Sequence, residues 1–387
     1  MFRRGVRPGD ASVETNQLEG YRGMRYLITG GAGFIGSHLV DALTTRGDHV
    51  LVLDDLSTGR LENLDESHHG ANADAIAALQ RDGDRGESEQ PRPGAVEFIE
   101  GSVTDEALVN DCMSSVDACV HLASAVGVQL VVAQPLESVL RSTRGCDIVF
   151  AAAARRGCRL LFTSTSEVYG KLSGELSEDS DRVLGPPSQS RWSYATAKVF
   201  GEILAHGYHR QYGIETIVAR LFNTVGPRQT GAYGMVLPRF VSQALAGEDL
   251  TVYGNGTQSR CFTHVLDTVH ALVQLCDADA AAGRVYNVGG DRLVPVIELA
   301  GKVIERTGSD SKVRLIPYRE AYEGGFEELG RRVPDTSALR ELNGWKPSRT
   351  LDEMVDDVIA YEQSETRGAG RVPDPHRSES GAMRVVG

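Results

Sequence analysis

Three evenly spaced glycines in "YLITGGAGFIGSHLV" (residues 26–40) constrain the fold of this chain more than any other feature. Gly30, Gly33 and Gly36 lie between an apolar run, typical of a strand, and a run that is typical of a helix. Glycine weakens both kinds of element, so its recurrence here indicates a backbone that must turn sharply and approach another group closely. In this context the spacing predicts a dinucleotide-binding turn.

Each glycine has a predicted task. Gly30 permits the tight turn, Gly33 lets the backbone approach a pyrophosphate, and Gly36 lets the helix pack against the strand. The free N–H groups and the positive end of the helix would then hold the phosphates. Phe34 and Ile35 are expected to border the same ligand.

An acidic residue at the end of the next predicted strand indicates which dinucleotide binds. "HVLVLDDLSTG" places Asp54 18 residues after Gly36. A carboxylate there accepts hydrogen bonds from ribose hydroxyls and repels a 2′-phosphate, which favours NAD over NADP. The structural alternative is a glycine-rich turn beside an ordinary strand-end aspartate. The other residues predicted to bind the cofactor are Ser57, Thr58, Gly59, Ser102, Val103 and Leu122.

Strand-like and helix-like runs alternate over the first two thirds of the chain. Short apolar runs such as "RYLIT", "HVLVLD", "ACVHLA" and "RLLFTST" are separated by longer helical patterns. This alternation predicts an α/β fold with a doubly wound parallel sheet, the Rossmann fold. After about residue 223, glycine, proline and aromatic residues become frequent, which predicts a smaller C-terminal substrate-binding lobe.

These patterns divide the chain into predicted regions. Polar segments without periodicity at 1–23 and 365–387 are expected to be flexible tails, and the polar, Gly- and Pro-rich stretch at 66–94 a surface insertion. The Rossmann domain is predicted at 24–222 and 262–290. The second lobe is predicted at 223–261 and 291–364.

Charge and composition exclude several classes of function. The formal net charge of -13 argues against a nucleic-acid binder. No apolar stretch reaches the roughly 18 residues of a membrane span, and the N-terminus lacks the apolar core of a signal peptide. None of the six cysteines forms a Cys-x-x-Cys pair, which favours buried thiols in a reducing compartment. We therefore expect a cytoplasmic protein without a metal site.

A tyrosine and a lysine four residues apart carry the predicted chemistry. Tyr194 and Lys198 in "SYATAK" fall on one face of a long predicted helix. A neighbouring ammonium, together with the charge of an oxidised nicotinamide, would lower the tyrosine pKa and make it a usable base. The preceding strand ends in "FTSTSEVYG", which brings Thr165, Ser166 and Glu167 to the same crevice.

Taken in order, TGGAGFIG, DDLSTG, STSEVYG, YATAK, RLFNTVGPR and GTQSRCFTHVLD resemble the motifs of the extended short-chain dehydrogenase/reductase family. More narrowly, the chain is similar to nucleotide-sugar epimerases, dehydratases and decarboxylases from about residue 24 to 360. The resemblance implies permanently held NAD and oxidation of a sugar at C4. It makes Tyr194 the base at O4, Lys198 the residue that tunes it and holds the nicotinamide ribose, and Thr165 a hydrogen-bonding partner of O4.

Two further positions distinguish the reaction within this group. Dehydratases typically carry Asp-Glu where this chain has Ser166-Glu167, and 4-epimerases usually lack the glutamate. UDP-glucuronate decarboxylases carry Thr-Ser-Glu-Val-Tyr-Gly, as residues 165–170 do. On the same resemblance Arg332 faces the substrate carboxylate, a role that suits a planar guanidinium. The resemblance thus implies decarboxylation of UDP-glucuronate to UDP-xylose or a UDP-4-keto-pentose. A UDP-sugar 4-epimerase and a non-catalytic NAD-binding scaffold stay open.

The resemblance also implies how the substrate and a second subunit bind. Arg260 is the expected partner of the diphosphate, Arg228 either joins it or braces its loop, and the likeness suggests a homodimer through the helix of Tyr194. The chain departs from its relatives at Ser102, where they usually have an aspartate that contacts adenine. The residues predicted to bind the UDP-sugar are Ser166, Asn223, Arg228, Tyr253 and Arg260.

Overall fold

The computed structural model describes residues 23–64, 94–124, 135–231, 235–321 and 331–369. Its central element is a seven-stranded sheet in which every neighbouring pair is parallel. In spatial order the strands are β12 (Val285–Val288), β7 (Thr216–Leu221), β5 (Arg159–Thr165), β4 (Ala118–His121), β1 (Arg25–Thr29), β2 (His49–Asp54) and β3 (Val96–Glu100).

Helices cover both faces of this sheet. On one face α1 (Phe34–Arg46) and α6 (Val265–Asp277) bury apolar residues against the strands. On the other face α2 (Glu106–Ser114), α3 (Pro135–Arg156) and α4 (Arg191–Tyr212) do the same. Because both faces are covered, strands such as β2 are buried at every position. The predicted doubly wound Rossmann architecture is therefore confirmed.

The strand order reverses at β1, whose neighbours are β2 on one side and β4 on the other. The chain proceeds from β1 outward to β3 and then returns to begin the second half at β4. Such a reversal opens a crevice beyond the carboxyl ends of the strands, where ligands bind in sheets of this kind. The glycine-rich turn follows β1 directly, so it lies at this crevice.

A second hydrophobic core lies in the later part of the chain. It is formed by residues of α5, α7 and α10 and of the small strands between them. Within this core β9 pairs with β14, and β10 pairs with β13. The bounds are α5 (Val236–Leu245), β9 (Leu250–Tyr253), β10 (Ser259–Cys261), β13 (Leu293–Pro295), α7 (Val296–Thr307), β14 (Val313–Ile316) and α10 (Leu351–Ala369).

Short elements connect the two cores. Strand β6 pairs with β15 and β8 with β11, all in parallel register. The bounds are β6 (Gly174–Leu176), β8 (Thr224–Val225), β11 (Thr263–His264), α8 (Tyr318–Ala321), β15 (Arg332–Pro334) and α9 (Ser337–Asn343), with 3₁₀ turns at Leu61–Asn63, Ser166–Tyr169 and Asp279–Ala281.

Several predicted regions fall wholly or largely outside the described residues. These are the N-terminal tail, nearly all of the 66–94 insertion and the chain after residue 369. The last helix, α10, continues to Ala369 and thus enters the segment predicted as a tail from residue 365. Within the described ranges, no helix has the length and apolar character needed to cross a bilayer.

Candidate active site

One cavity of about 1090 Å³ runs along the carboxyl ends of the strands and into the second core. It brings together most of the residues predicted from the sequence. Those that line it are Gly30, Gly33, Phe34, Ile35, Gly36, Asp54, Ser57, Thr58, Ser102, Val103, Leu122, Thr165, Ser166, Glu167, Tyr194, Lys198, Asn223 and Arg228. Four predicted residues are not among its lining: Gly59, Tyr253, Arg260 and Arg332.

The glycine turn has the shape that a phosphate cradle requires. Gly30 has φ +76°, in the left-handed region that side chains avoid. A Cβ on Gly36 would lie 2.2 Å from the carbonyl oxygen of Gly30, so only glycine lets α1 start this close to the turn. Gly33 precedes the helix, no side chain caps it, and the first turn carries no acidic residue. The N–H groups at this helix end thus suit the pyrophosphate of a dinucleotide.

Asp54 is fixed at the same edge by the loops around it. Its carboxylate accepts hydrogen bonds from the backbone N–H groups of Ala32 at 3.0 Å and Leu56 at 2.9 Å. Burial raises the pKa of Asp54, and these two bonds oppose that shift. Gly59 does not line the cavity, but a Cβ on it would lie 2.9 Å from Oδ1 of Asp54, so its size lets the loop close over the carboxylate. The carboxylate keeps lone pairs for ribose hydroxyls.

Lys198 is buried beside Tyr194 on α4. Its Nζ donates to the carbonyl oxygen of Thr163 at 2.8 Å and lies 5.9 Å from the centroid of the Tyr194 ring. Burial lowers the pKa of Lys198 to about 8, although Cys146 and Glu202 oppose the shift. A lysine with this pKa carries its charge at neutral pH and loses it in mildly alkaline solution.

The protein groups around Tyr194 raise the pKa of its phenol. Burial raises it above its ordinary value, the Glu167 carboxylate raises it further, and a hydrogen bond with the Thr165 side chain lowers it. That the Lys198 ammonium and the charge of an oxidised nicotinamide together lower this pKa stays a prediction.

A turn after β5 aims the next polar residues at the cavity. The Thr165 hydroxyl accepts a hydrogen bond from the N–H of Glu167 at 3.2 Å and so caps the 3₁₀ turn that follows. Arg332 lies behind this turn. It donates to the carbonyl oxygen of Ser166 at 2.8 Å and to Oε1 of Glu167 at 2.5 Å.

The resemblance implied that Arg332 faces the substrate. In the structure, however, Arg332 does not line the cavity. Its side chain is 4% exposed, whereas that of Glu167 is 28% exposed. The side chain that faces the cavity is that of Glu167, and the guanidinium fixes its orientation from the buried side. An arginine that bonds both a carboxylate and the adjacent backbone holds that carboxylate more firmly than a surface pair would.

A buried ionic cluster that the sequence analysis missed supports the catalytic helix. Glu202, eight residues after Tyr194 on α4, accepts two hydrogen bonds from Arg220 at 2.9 Å and one from the hydroxyl of Ser164 at 2.6 Å. Glu202 and Arg220 are both almost inaccessible to solvent. Since Ser164 precedes Thr165, this cluster ties the end of β5 to the helix that carries Tyr194 and Lys198.

The predicted substrate residues take different positions. Arg228 has φ +65° and pairs with Asp41 of α1 at 2.8 Å, so it braces its loop while lining the cavity. Asn223, also in the cavity wall, donates to the carbonyl oxygen of Cys261 at 3.2 Å. Arg260 lies outside the cavity lining and donates to the carbonyl oxygen of Ser259. Tyr253, also outside the lining, packs under Arg239.

Distant segments complete the cavity wall. The end of α10 contributes Tyr361, Glu362 and Glu365, and Glu365 pairs with Arg60 at 3.1 Å. Arg141 of α3 pairs with Asp55, the residue after Asp54. The sequence contains no motif at these positions, because the contacts join segments far apart in the chain.

Comparison with known proteins identifies the family. Residues 26–289 match the family model described as "NAD dependent epimerase/dehydratase family". The chain belongs to this family. The family predicted from the ordered motifs is thus confirmed, and NAD, the cofactor favoured by Asp54, is the one in the family's name.

Individual members of the NAD dependent epimerase/dehydratase family are similar over most of the chain. The UDP-N-acetyl-alpha-D-glucosaminuronate decarboxylase of Bacillus cytotoxicus is 34% identical over 87% of this chain and 97% of its own length. UDP-glucuronic acid decarboxylase 6 of Arabidopsis thaliana is 34% identical over 85% and 86%. A dTDP-glucose 4,6-dehydratase from Streptomyces venezuelae, solved with NAD, has a TM-score of 0.73 and 28% identity over 89% of this chain and 98% of its own.

Proposed function

We propose that this protein is a nucleotide-sugar decarboxylase that acts on UDP-glucuronate. The observation that carries the proposal is the side chain of Glu167, held by Arg332 in a cavity wall that also contains Thr165 and Tyr194. Similar proteins with decarboxylase names support the choice of reaction. Serine at position 166 supports it as well, because a hydroxyl is a poor acid for the removal of water from C6.

The chemistry that bound NAD would supply here is reversible hydride transfer at C4 of the sugar. The residues of the glycine turn and Asp54 are placed to hold its pyrophosphate and adenosine ribose. Tyr194 accepts the proton of the C4 hydroxyl, and Thr165 holds the hydroxyl and the phenol in one hydrogen-bonded group. The ammonium of Lys198 stabilises the negative charge that develops on the phenol oxygen.

Oxidation at C4 turns the C6 carboxylate into the acid group of a β-keto acid. Its C5–C6 bond then breaks with the electron pair left on the sugar, carbon dioxide departs, and the charge moves to the C4 oxygen as an enolate. The hydroxyls of Thr165 and Tyr194 are placed to donate to that oxygen. Protonation at C5 restores the ketone. Glu167, oriented by Arg332, is placed to direct the water that supplies this proton.

Three alternatives predict different products. A 4-epimerase returns hydride to the opposite face and leaves the mass of the substrate unchanged. A non-catalytic NAD-binding scaffold would convert none of these substrates. Against this alternative, Thr165, Tyr194 and Lys198 all line the cavity. A preference for UDP-N-acetylglucosaminuronate is favoured by the name of the Bacillus cytotoxicus relative. Incubation of the purified protein with UDP-glucuronate, UDP-N-acetylglucosaminuronate and UDP-glucose, followed by mass spectrometry, distinguishes all of these.

We also infer a homodimer through α3 and α4. Leu136 and Leu140 on α3 and Ile203 on α4 are large apolar side chains with 57–71% exposure. The two helices pack against each other, so these residues supply an apolar face that a second copy can cover. Six buried cysteines without disulfides favour a reducing compartment, and we place the protein in the cytoplasm.

The two cores support the predicted division into domains. We assign residues 24–222 and 262–290 to NAD and residues 223–261 and 291–364 to the nucleotide sugar. Elements of the first range form the parallel sheet, and most elements of the second form the core around α5, α7 and α10, although Leu339 and Trp345 pack in the core of the sheet.

A further inference from the structure

The cavity wall contains five cationic side chains in the described part of the chain, and they differ in their partners. Arg60, Arg141 and Arg228 each form an ion pair with a carboxylate. Lys198 donates to a backbone carbonyl oxygen. Arg239, on α5, has no carboxylate partner among the described residues.

The immediate surroundings of Arg239 leave its hydrogen-bonding capacity unused. Nη2 donates to the carbonyl oxygen of Thr251 at 3.1 Å, and the guanidinium carbon lies 4.2 Å from the centroid of the Tyr253 ring. Nε and Nη1 are buried and have no hydrogen-bond partner among the residues that the structure describes. Buried donors are nearly always paired, since an unpaired one loses its bonds to water and gains none in return. Two donor groups of Arg239 thus lack an acceptor among the described residues.

The end of the helix that carries Arg239 points to the same kind of ligand. Met235, Pro238 and Arg239 all line the cavity at the N-terminal turn of α5. No side chain of the described residues caps this turn, and the turn contains no acidic residue. The positive end of the helix and the guanidinium therefore both favour negative charge at this part of the cavity.

We propose that Arg239 binds the diphosphate of the nucleotide sugar. This inference rests on the proposed UDP-sugar substrate. A phosphate oxygen is the acceptor that suits an unpaired guanidinium. Arg239 lines the cavity, and the Tyr253 ring lies beneath its guanidinium as a flat support.

The test measures the affinity of the full-length holoenzyme for UDP and for uridine by calorimetry. We expect Arg239→Met to weaken UDP binding by about 10- to 100-fold, the range for a charge-assisted bond, and to change uridine binding by less than about threefold. Arg239→Lys should recover part of the UDP affinity. Arg306→Met is the matched control, because Arg306 pairs with Asp356 on the surface, and it should bind UDP as the unaltered protein does.

Two results would overturn the inference: UDP affinity unchanged in Arg239→Met, or equal losses for UDP and uridine, which would place the side chain at the base. If Arg239→Met does not fold, the comparison of Arg239→Lys with the unaltered protein at rising salt decides. Binding of UDP must then weaken with salt more than binding of uridine does. These outcomes are independent of turnover. If the unaltered protein releases carbon dioxide and Arg239→Met binds UDP normally, only the role of Arg239 is refuted. If Arg239→Met loses UDP affinity but the unaltered protein releases no carbon dioxide, only the proposed reaction is refuted.

Discussion

Arg332 donates from Nη2 to Oε1 of Glu167 at 2.5 Å, across 165 positions of sequence. The pair places a buried cation directly behind the carboxylate that reaches the cavity. In the proposed mechanism Glu167 therefore makes the contact with substrate, and Arg332 has a positioning role. It also ties β15 to the turn after β5, because Arg332 bonds the backbone of Ser166 at the same time.

Because Arg332 orients Glu167, we expect the two residues to act on the same catalytic step. Glu167→Gln and Arg332→Met should each lower kcat for decarboxylation by about 100-fold, while UDP affinity and NAD content stay unchanged. The double variant should lose little more than either single one, since each substitution removes the same oriented carboxylate. Steady-state kinetics and calorimetry measure both quantities. A fully active Glu167→Gln variant would remove the glutamate from the mechanism.

The lowered pKa of Lys198 predicts an alkaline limit to activity. Its folded-state pKa of about 8 lies below the ordinary value, so the side chain loses its charge as the pH rises through about 8. The phenol oxygen of Tyr194 then loses its cationic neighbour, and kcat/KM should fall above that pH. Lys198→Arg, whose charge persists, should lack this limb even if its maximal rate is lower. A profile that stays level to pH 10 in the unaltered protein would contradict the assigned role.

The crowding at Gly36 predicts that a methyl group there disrupts cofactor binding. A Cβ would lie 2.2 Å from the Gly30 carbonyl oxygen and 2.7 Å from the Gly31 Cα, so α1 must move away from the turn. Gly36→Ala should contain much less NAD after purification, as measured by release and chromatography. Gly301→Ala is the control, because nothing lies within 4 Å of that position on α7. It should keep its NAD and gain roughly 0.5–1 kcal/mol of stability.

The exposed side chains of α3 and α4 predict the subunit contact. Ile203→Glu places a charge at a position that is 60% exposed in the single chain and, in the proposed dimer, would be buried. This charge should convert the dimer to a monomer in sedimentation experiments. Leu315→Glu, at an exposed position of β14 in the other core, should leave the dimer intact. A protein that is monomeric without substitution, or a dimeric Ile203→Glu variant, would disprove this interface.

Local sequence patterns were sufficient to predict the fold and the dinucleotide turn. The turn needs glycine at fixed positions, so Gly30 and Gly36 could be interpreted without a structure. The placement of Asp54, Tyr194 and Lys198 could also be predicted, because the strand or helix that carries each residue fixes the direction of its side chain. Gly59 was predicted to bind the cofactor, but it packs against Asp54 and is not among the residues that line the cavity.

Side-chain partners across the fold could not be predicted in this way. The sequence alone does not distinguish the roles of four arginines in glycine- and proline-rich segments, namely Arg228, Arg239, Arg260 and Arg332. Only the packing reveals that Arg228 bonds to Asp41, that Arg332 bonds to Glu167, and that two donors of Arg239 have no acceptor in the described part of the chain. The contribution of α10 to the cavity was missed because no motif marks Tyr361 and Glu362, and Glu365 lies in a segment predicted to be a tail.

The most direct test follows the carboxyl carbon of the substrate. Purified protein, with no NAD added, is incubated with UDP-glucuronate that carries an isotope label at C6, alongside Tyr194→Phe. The account predicts labelled carbon dioxide, a UDP-pentose without the label, and almost no release by the Tyr194→Phe variant. Label that remains in a UDP-hexuronate, whether unchanged or epimerised at C4, would contradict the account.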